Sequence, residues 1–368
     1  MPKSVRRSRK NQALLDIRAV AAKANVSIAT VSRTINRVPT VNAKMASRVW
    51  AAIDELGYVP DTQARALGSG RSGMIGLVVS EITNPFFPEL IQSFEDAAIE
   101  SGYEILISST NYDPKRMEIC IRRLLQRKAE GVAVLTFGIE QPLFEKLADR
   151  NIPLVFVDEG PDRPDVSIIK VDYAHGVRQG VQHLAALGHR KIAFISGPLT
   201  LHSAQCRLDA FLKALDECGI KARPQWQIEG DHTFEGGIGS MQRLLDDLDR
   251  PSAVMCSNDV TALGVLHKAY RVGLRVPDDI SVIGFDNIQM AKVMIPPLTS
   301  IQMSPIDIAN AAVKALKDHI EGDNLHREYG VDTHLVVRES TSFPPGAMDD
   351  LTSSRSGEHN LSSLSAGE

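Results

Sequence analysis

The stretch DIRAVAAKANVSIATVSRTINR, residues 16–37, is where the 368-residue chain is easiest to read. Ile17, Val20, Ala21 and Ala24 recur at helical spacing behind Asp16, whose carboxylate suits an N-cap. Asn25 and Val26 then turn the chain. Ser27 caps a second helix that runs to about Asn36, with Val31 and Ile35 on its inner face. After Val38-Pro39 the pattern predicts a third helix from near Asn42, with Met45, Val49, Ile53 and Leu56 on one stripe and Gly57 as its stop.

Away from Val31 and Ile35, the second helix carries Ala29, Ser32, Arg33 and Asn36 at i, i+3, i+4 and i+7. Ile28 sits beside them at the helix start, exposed although apolar. Small and basic residues on a short helix that follows a tight turn suit a DNA major groove. Arg33 offers guanine a bidentate contact, and Ala29 or Ile28 packs on a thymine methyl. The competing reading is a three-helix domain with a merely polar surface. Charge favours the first, although five of the basic residues lie within the first ten and suit a solvated leader as well. Residues 1–73 hold 13 Lys and Arg against 4 Asp and Glu, a balance of +9, while the rest of the chain holds 28 against 41. A basic head on an acidic body is the footprint of a protein whose one end meets a polyanion.

Outward from the head the grammar changes. Residues 1–15 read as a basic, disordered leader and 61–73, with Gly68, Gly70 and Gly73, as a hinge and linker in which Gln63–Leu67 makes a helical turn or two only if held. From Met74 short apolar strands at 74–79, 103–108, 131–135, 154–157, 191–195, 252–256 and 280–284 alternate with helices that include 89–100, 115–127, 174–187, 207–217, 236–248 and 260–271. That is a parallel α/β plan of two lobes within 74–343, dividing near 172 with later crossovers near 300 and 330. Residues 344–368 lack core residues and read as a disordered tail without the leucine heptads of a coiled coil. No apolar run approaches the roughly 20 residues of a membrane helix, and the N-terminus is not a signal peptide, which places the chain in the cytoplasm. Four cysteines without a CxxC pair argue against a zinc site or a disulfide framework, and no cofactor is expected. The glycines at 236, 237 and 239 miss the GxGxxG spacing, and no Walker, HExxH or GxSxG motif appears, so the chain does not read as an enzyme.

The opening stretch, continued by VWAAIDELGYVPDTQARALGSGRSGMIGLVV at 49–79, SNDVTALG at 257–264 and VPDDISVIGFDN at 276–287, resembles the lac-repressor (LacI/GalR) family of bacterial transcription regulators. The resemblance runs from about Asp16 to Phe343. It implies a small all-α helix-turn-helix DNA-binding head plus an α/β two-lobed core like that of periplasmic binding proteins, assembled as a homodimer on a pseudo-palindromic operator. By the same resemblance Ile28, Ala29 and Arg33 read bases, and Leu67 is the hinge leucine that wedges into the minor groove. Ala64 permits close packing of two such hinges. Gln63 departs from the apolar residue common at its position.

The core is also legible from strand ends, where open parallel sheets bind ligands. Those positions hold Phe86 and Phe87, Asp158, Ser203 and Arg207, Asn258, and Asp286. The family resemblance places all seven, together with His232, around the effector cleft. Groups with several hydrogen-bonding edges beside an aromatic wall suit a sugar or sugar derivative. Alternative roles remain open at this stage: Asp158 and Asp286 as strand terminators, Arg207 as a surface partner of Asp209, and Phe86 or Phe87 as core. Neither the effector's identity nor whether it induces or corepresses is written in the sequence.

Overall fold

The computed structural model describes residues 16–36, 38–59, 71–135, 147, 149–161, 163, 166–322 and 328–345. The leader, the hinge with Ala64 and Leu67, and residues 346–368 lie outside them. The chain divides into two compact units, Met1–Ser72 and Gly73–Glu368.

In the first unit, α1 (Ile17–Ala24), α2 (Ile28–Ile35) and α3 (Ala43–Leu56) surround Val20, Ala21, Ala24, Val31, Val49, Ala52 and Ile53. Each helix starts on the cap its sequence announces: Asp16 accepts from Arg18 and Ala19 N–H, Ser27 from Thr30 N–H and Asn42 from Lys44 N–H. Asn25 and Gly57 close α1 and α3 in the left-handed conformation. Arg48 reaches from α3 to the carbonyls of Ala24 and Asn25, satisfying the end of α1. Two expectations fail here. Met45 is exposed, because only Val49, Ala52 and Ile53 of α3 are buried in this small core. Thr34 is buried and Ile35 only partly so; the Thr34 hydroxyl donates to Thr30 O at 2.8 Å, which lets a polar residue face inward.

The second unit is a sheet of eleven described strands in the order β2-β1-β3-β4-β5-β11-β10-β9-β8-β6-β7. The strands are β1 (Met74–Val79), β2 (Glu104–Ser109), β3 (Gly131–Leu135), β4 (Leu154–Val157), β5 (Val166–Asp172), β6 (Ile192–Ser196), β7 (Gln227–Glu229), β8 (Ala253–Cys256), β9 (Ser281–Asp286), β10 (Thr299–Met303) and β11 (Glu328–Val336). Described helices are α4 (Phe86–Glu100), α5 (Pro114–Gln126), α6 (Tyr173–Ala186), α7 (His202–Glu217), α8 (Phe234–Asp246), α9 (Asp259–Arg271) and α10 (Pro305–Ile320). Strands β1 and β3 are apolar and buried almost throughout, as strands covered by helices on both faces must be.

Strand β11 joins the lobes. Its first half, Glu328–Asp332, runs parallel to β5, and its second half, from Thr333, runs antiparallel to β10. Helix α10, though it follows the second-lobe strand β10, packs on α4, β3 and β4 of the first lobe. Strands β5, β7, β10 and β11 are absent from the sequence reading. β10 buries Thr299 and Ser300 beside one isoleucine, and β11 alternates Glu, Asp and His with apolar residues, so neither shows an apolar run. Helix α7 begins at His202, five residues before the expected start, and α8 spans 234–246 rather than 236–248, since Thr233 is its cap.

Candidate functional site

At the carboxyl ends of β1, β6, β8 and β9 lies a solvent-open cleft between the two lobes, about 610 Å³ with its open mouth included. Phe86 and Phe87, the first residues of α4, meet edge to face with centroids 5.6 Å apart. With Leu90, Leu135, Val157 and Ile308 they make an apolar wall on the first lobe. Ser203, Arg207, His232, Asn258 and Asp286 line the second-lobe side. Seven of the eight effector residues anticipated from the sequence therefore share one cavity.

Asp158 stands one layer back. Its buried carboxylate accepts the Tyr173 hydroxyl at 2.6 Å, and Tyr173 faces the cleft in its place. Burial pushes the Asp158 carboxyl up, against the pull of the Tyr173 hydroxyl and the Arg207 guanidinium.

Arg207 is only 4% exposed, which settles the alternative of a surface ion pair with Asp209. Its guanidinium lies 4.0 Å from the Phe285 ring centroid and 4.8 Å from that of Tyr173, and it donates to Ser257 O. Its Nε has no partner among the described residues. Neither ring was visible to strand-end reasoning; Tyr173 begins α6 and Phe285 sits one residue inside β9.

Asp286 ends β9 with φ +103°, followed by Asn287 at φ +54°, a backbone course that few non-glycine residues adopt. Burial drives its carboxyl well up; Arg207 opposes this, and Asp259 and Glu89 add to it. The strained corner is supported from behind by Asp259, which is fully buried. Its two oxygens accept Ser300 Oγ–H at 2.6 Å and Ile288 N–H at 2.9 Å. Burial pushes the Asp259 carboxyl up to about 7. Sequence reasoning passed over Asp259 although it stands inside the SNDVTALG run.

Asn258 spends most of its hydrogen-bonding capacity on structure. Its Oδ1 caps α9 through Thr261 N–H at 2.8 Å, and its amide donates to His232 O at 3.0 Å. One N–H remains for a ligand. His232, at φ +63°, is held neutral: burial and then the Arg207 guanidinium bring its pKa down to about 3. Its Nε2 is buried without a partner among the described residues. A Cβ at position 197 would lie 2.0 Å from that nitrogen, so Gly197 is what admits the ring.

Besides the Tyr173–Asp158 hydrogen bond, two further contacts among the described residues tie the lobes across the cleft. Gln289 N–H donates to Glu89 Oε1 at 2.8 Å, and His202 Nδ1 stands 3.0 Å from Glu159 Oε1. In the head, Ile28, Ala29, Arg33 and Asn36 are exposed and Ser32 is partly so, while Val31 and Thr34 turn inward. The helix thus presents the small and basic stripe to solvent.

Comparison with known proteins agrees with both units. Residues 16–61 match the family described as bacterial regulatory proteins, lacI family, and residues 181–341 match the periplasmic binding protein-like domain. The HTH-type transcriptional repressor PurR of Photobacterium profundum is 33% identical over 326 residues, covering 88% of this chain and 98% of the relative. The crystal structure of the lac repressor dimer bound to operator and the anti-inducer ONPF superposes with a TM-score of 0.77 at 30% identity, over 88% of this chain and 98% of that one. The transcriptional regulator CelR–cellobiose complex superposes with a TM-score of 0.68, also at 30% identity, over 88% and 99%. No described helix is long and apolar enough to cross a membrane.

Proposed function

The chain belongs to the lacI family of bacterial regulatory proteins, and from that premise we propose that its cleft binds a sugar or sugar derivative that controls the affinity of a homodimeric repressor for a pseudo-palindromic DNA operator. The observation that carries the ligand reading is the pair of unpartnered buried atoms, Arg207 Nε and His232 Nε2, beside the Asp286 carboxyl in one cavity. Buried polar groups left without partners cost on the order of 1–3 kcal/mol each, a cost that a ligand rich in hydroxyls removes. One free N–H on Asn258 and the Ser203 hydroxyl add a further donor and a donor–acceptor, the mixture that vicinal hydroxyls match. The relative solved with cellobiose supports this ligand class. We read the cleft as a binding site rather than a catalytic one, in a protein that acts in the cytoplasm.

On the DNA side, Arg33, Ala29 and Ile28 read bases in the major groove, with Ser32 and Asn36 at the edge of the contact. One short helix reads too few base pairs for genomic specificity, so two heads act together on related half-sites. Leu67 and Ala64 belong to the proposed hinge, which orders as a helix pair on the operator and places Leu67 at a central base step. The effector works by binding one arrangement of the lobes more tightly than the other.

The reading is tested on the full-length chain in two stages. Thermal-shift screening against sugars, sugar acids and nucleosides identifies the effector, since a ligand that binds the folded state raises the melting temperature. Fluorescence anisotropy on DNA selected from a random pool then measures operator affinity with and without that compound. Selected DNA bound no more tightly than random DNA, or a ligand that leaves operator affinity unchanged, defeats the proposal.

A further inference from the structure

Beside the cleft, three side chains outside its lining are joined by two contacts. Cys206 Sγ lies 3.2 Å from His202 Nε2, and His202 Nδ1 lies 3.0 Å from Glu159 Oε1. A carboxylate only accepts, so Nδ1 directs its proton at Glu159, and in the neutral ring Nε2 is then the acceptor facing the thiol. Cys206 and His202 are four residues apart on α7, so their contact is local; Glu159 comes from the other lobe, just after β4. The thiol is partly exposed. It sits next to Arg207, and Leu201 and Ser203 from the same end of α7 line the cleft. A nucleophile, a base and a group that orients the base are the three parts of an activated-nucleophile site.

We propose that Cys206, His202 and Glu159 form a nucleophilic thiol site at the mouth of the cleft, and that it is modified by α,β-unsaturated carbonyl compounds. His202 Nε2 takes the S–H proton as the sulfur pair bonds to the β-carbon of the enone. The C=C π pair moves through the carbonyl to give the enolate, and the imidazolium returns the proton to the α-carbon. The sum is addition of S–H across the double bond, with no oxidant or reductant. Glu159 fixes the ring and stabilises the imidazolium while it exists. The base is needed because the thiol is not a resting thiolate. Burial pushes it up, as do the carboxylates of Asp158 and Glu159 beyond β4 and of Asp209 on α7, while Arg207 pulls it down. The adduct removes the Cys206–His202 contact beside the His202–Glu159 contact that bridges the lobes.

The test uses the full-length protein and N-ethylmaleimide, with peptide mass spectrometry following Cys206 and Cys218 in the same sample. Cys218, at the end of α7, is also partly exposed but makes no histidine hydrogen bond among the described residues. Cys206 should be alkylated on the order of tenfold or more faster than Cys218, a modest share of what general-base catalysis supplies. His202→Gln and His202→Asn should remove that advantage, and Glu159→Gln should reduce it. In the histidine variants the remaining rate should climb about tenfold per pH unit below the thiol's own titration, the steepness of simple thiolate formation; the wild type should climb less steeply. Equal rates for Cys206 and Cys218 in the wild type overturn the proposal, and that comparison needs no variant to fold. An unchanged Cys206 rate in a folded histidine variant overturns it as well.

Discussion

Replacing Asp259 with Asn tests how the cleft is supported. The Asp259 carboxyl is pushed up to about 7 by burial, from an ordinary value of 3.8. The folded state therefore holds a proton that the unfolded chain releases. For an acid raised in this way, the stabilisation is complete below about pH 4 and is lost as pH climbs through about 7. The whole loss is on the order of 4 kcal/mol, of which about 2.5 kcal/mol falls between pH 5 and pH 8. Asn fits the site: its carbonyl accepts Ile288 N–H where Oδ2 did, and its amide donates to Ser300 Oγ, which already accepts Asn287 N–H and has a second lone pair to offer once its own proton turns away. The variant should thus keep its fold and lose the titration. Trp226 is buried in the second lobe, so its fluorescence in urea reports unfolding of that region. With a urea slope of roughly 1–3 kcal/mol/M, the wild-type midpoint should fall by on the order of 1 M more than the variant's between pH 5 and pH 8. Asp158 titrates in both proteins and largely cancels; the repulsion that Asp259 exerts on Asp286 is counted in the difference. Midpoints that shift in parallel with pH refute the reasoning, because some other group would then hold the proton.

Arg33→Ala should cost about 1–3 kcal/mol at one base pair of each half-site and relax specificity there; anisotropy titrations showing random DNA weakened as much as operator count against base reading. Asp286→Ala and Arg207→Ala should abolish the response to the effector while circular dichroism and sedimentation report a folded dimer; retained effector binding in calorimetry contradicts their roles. Leu67→Ala should weaken operator binding and spare ligand affinity, and a variant that represses normally removes the hinge wedge. Gly264→Ala places a Cβ 2.1 Å from Phe234 O and 3.0 Å from Gly237 Cα, where α8 and α9 touch through backbone. That overpacking should cost about 3 kcal/mol in urea denaturation, and a cost below about 0.5 kcal/mol would mean the helices part more easily than their contact implies.

What the sequence discloses follows burial. Strands covered on both faces, such as β1, β3 and β4, are written as unbroken apolar runs and appear where the pattern puts them. Helix caps at Asp16, Ser27 and Asn42 are local hydrogen bonds and are equally plain. The crossover strands are not, because their hydroxyls are satisfied from far along the chain. Ser300 is buried on Asp259, and Thr299 N–H donates to Ser340 Oγ, 41 residues away. The site divides in the same manner. Asn258 and Asp286 stand at strand ends that alternation locates, and Arg207 lies one helical turn into α7, the helix that follows β6. Tyr173 in front of Asp158, the rings around Arg207, and Asp259 behind the corner at Asp286 depend on how helices lie against the sheet, and no short spacing encodes that.

Strand β11 and helix α10 also bear on how the molecule is made. A ribosome delivers β1 to β5 first, and by then the flank of β5 that β11 will cover has no partner. The face of α4 on which α10 will lie is likewise bare. Both stay so while the entire second lobe is synthesised. The second lobe waits in turn for residues 340–342, since Val282 N–H donates to Ser340 O and His189 is bonded to Ser342 O. An open edge and an uncovered apolar face are the features on which nascent chains associate wrongly. A message broken shortly after codon 304 therefore yields not one finished lobe and one missing lobe but two unfinished ones, each lacking the contacts that the last forty or so residues of the core supply.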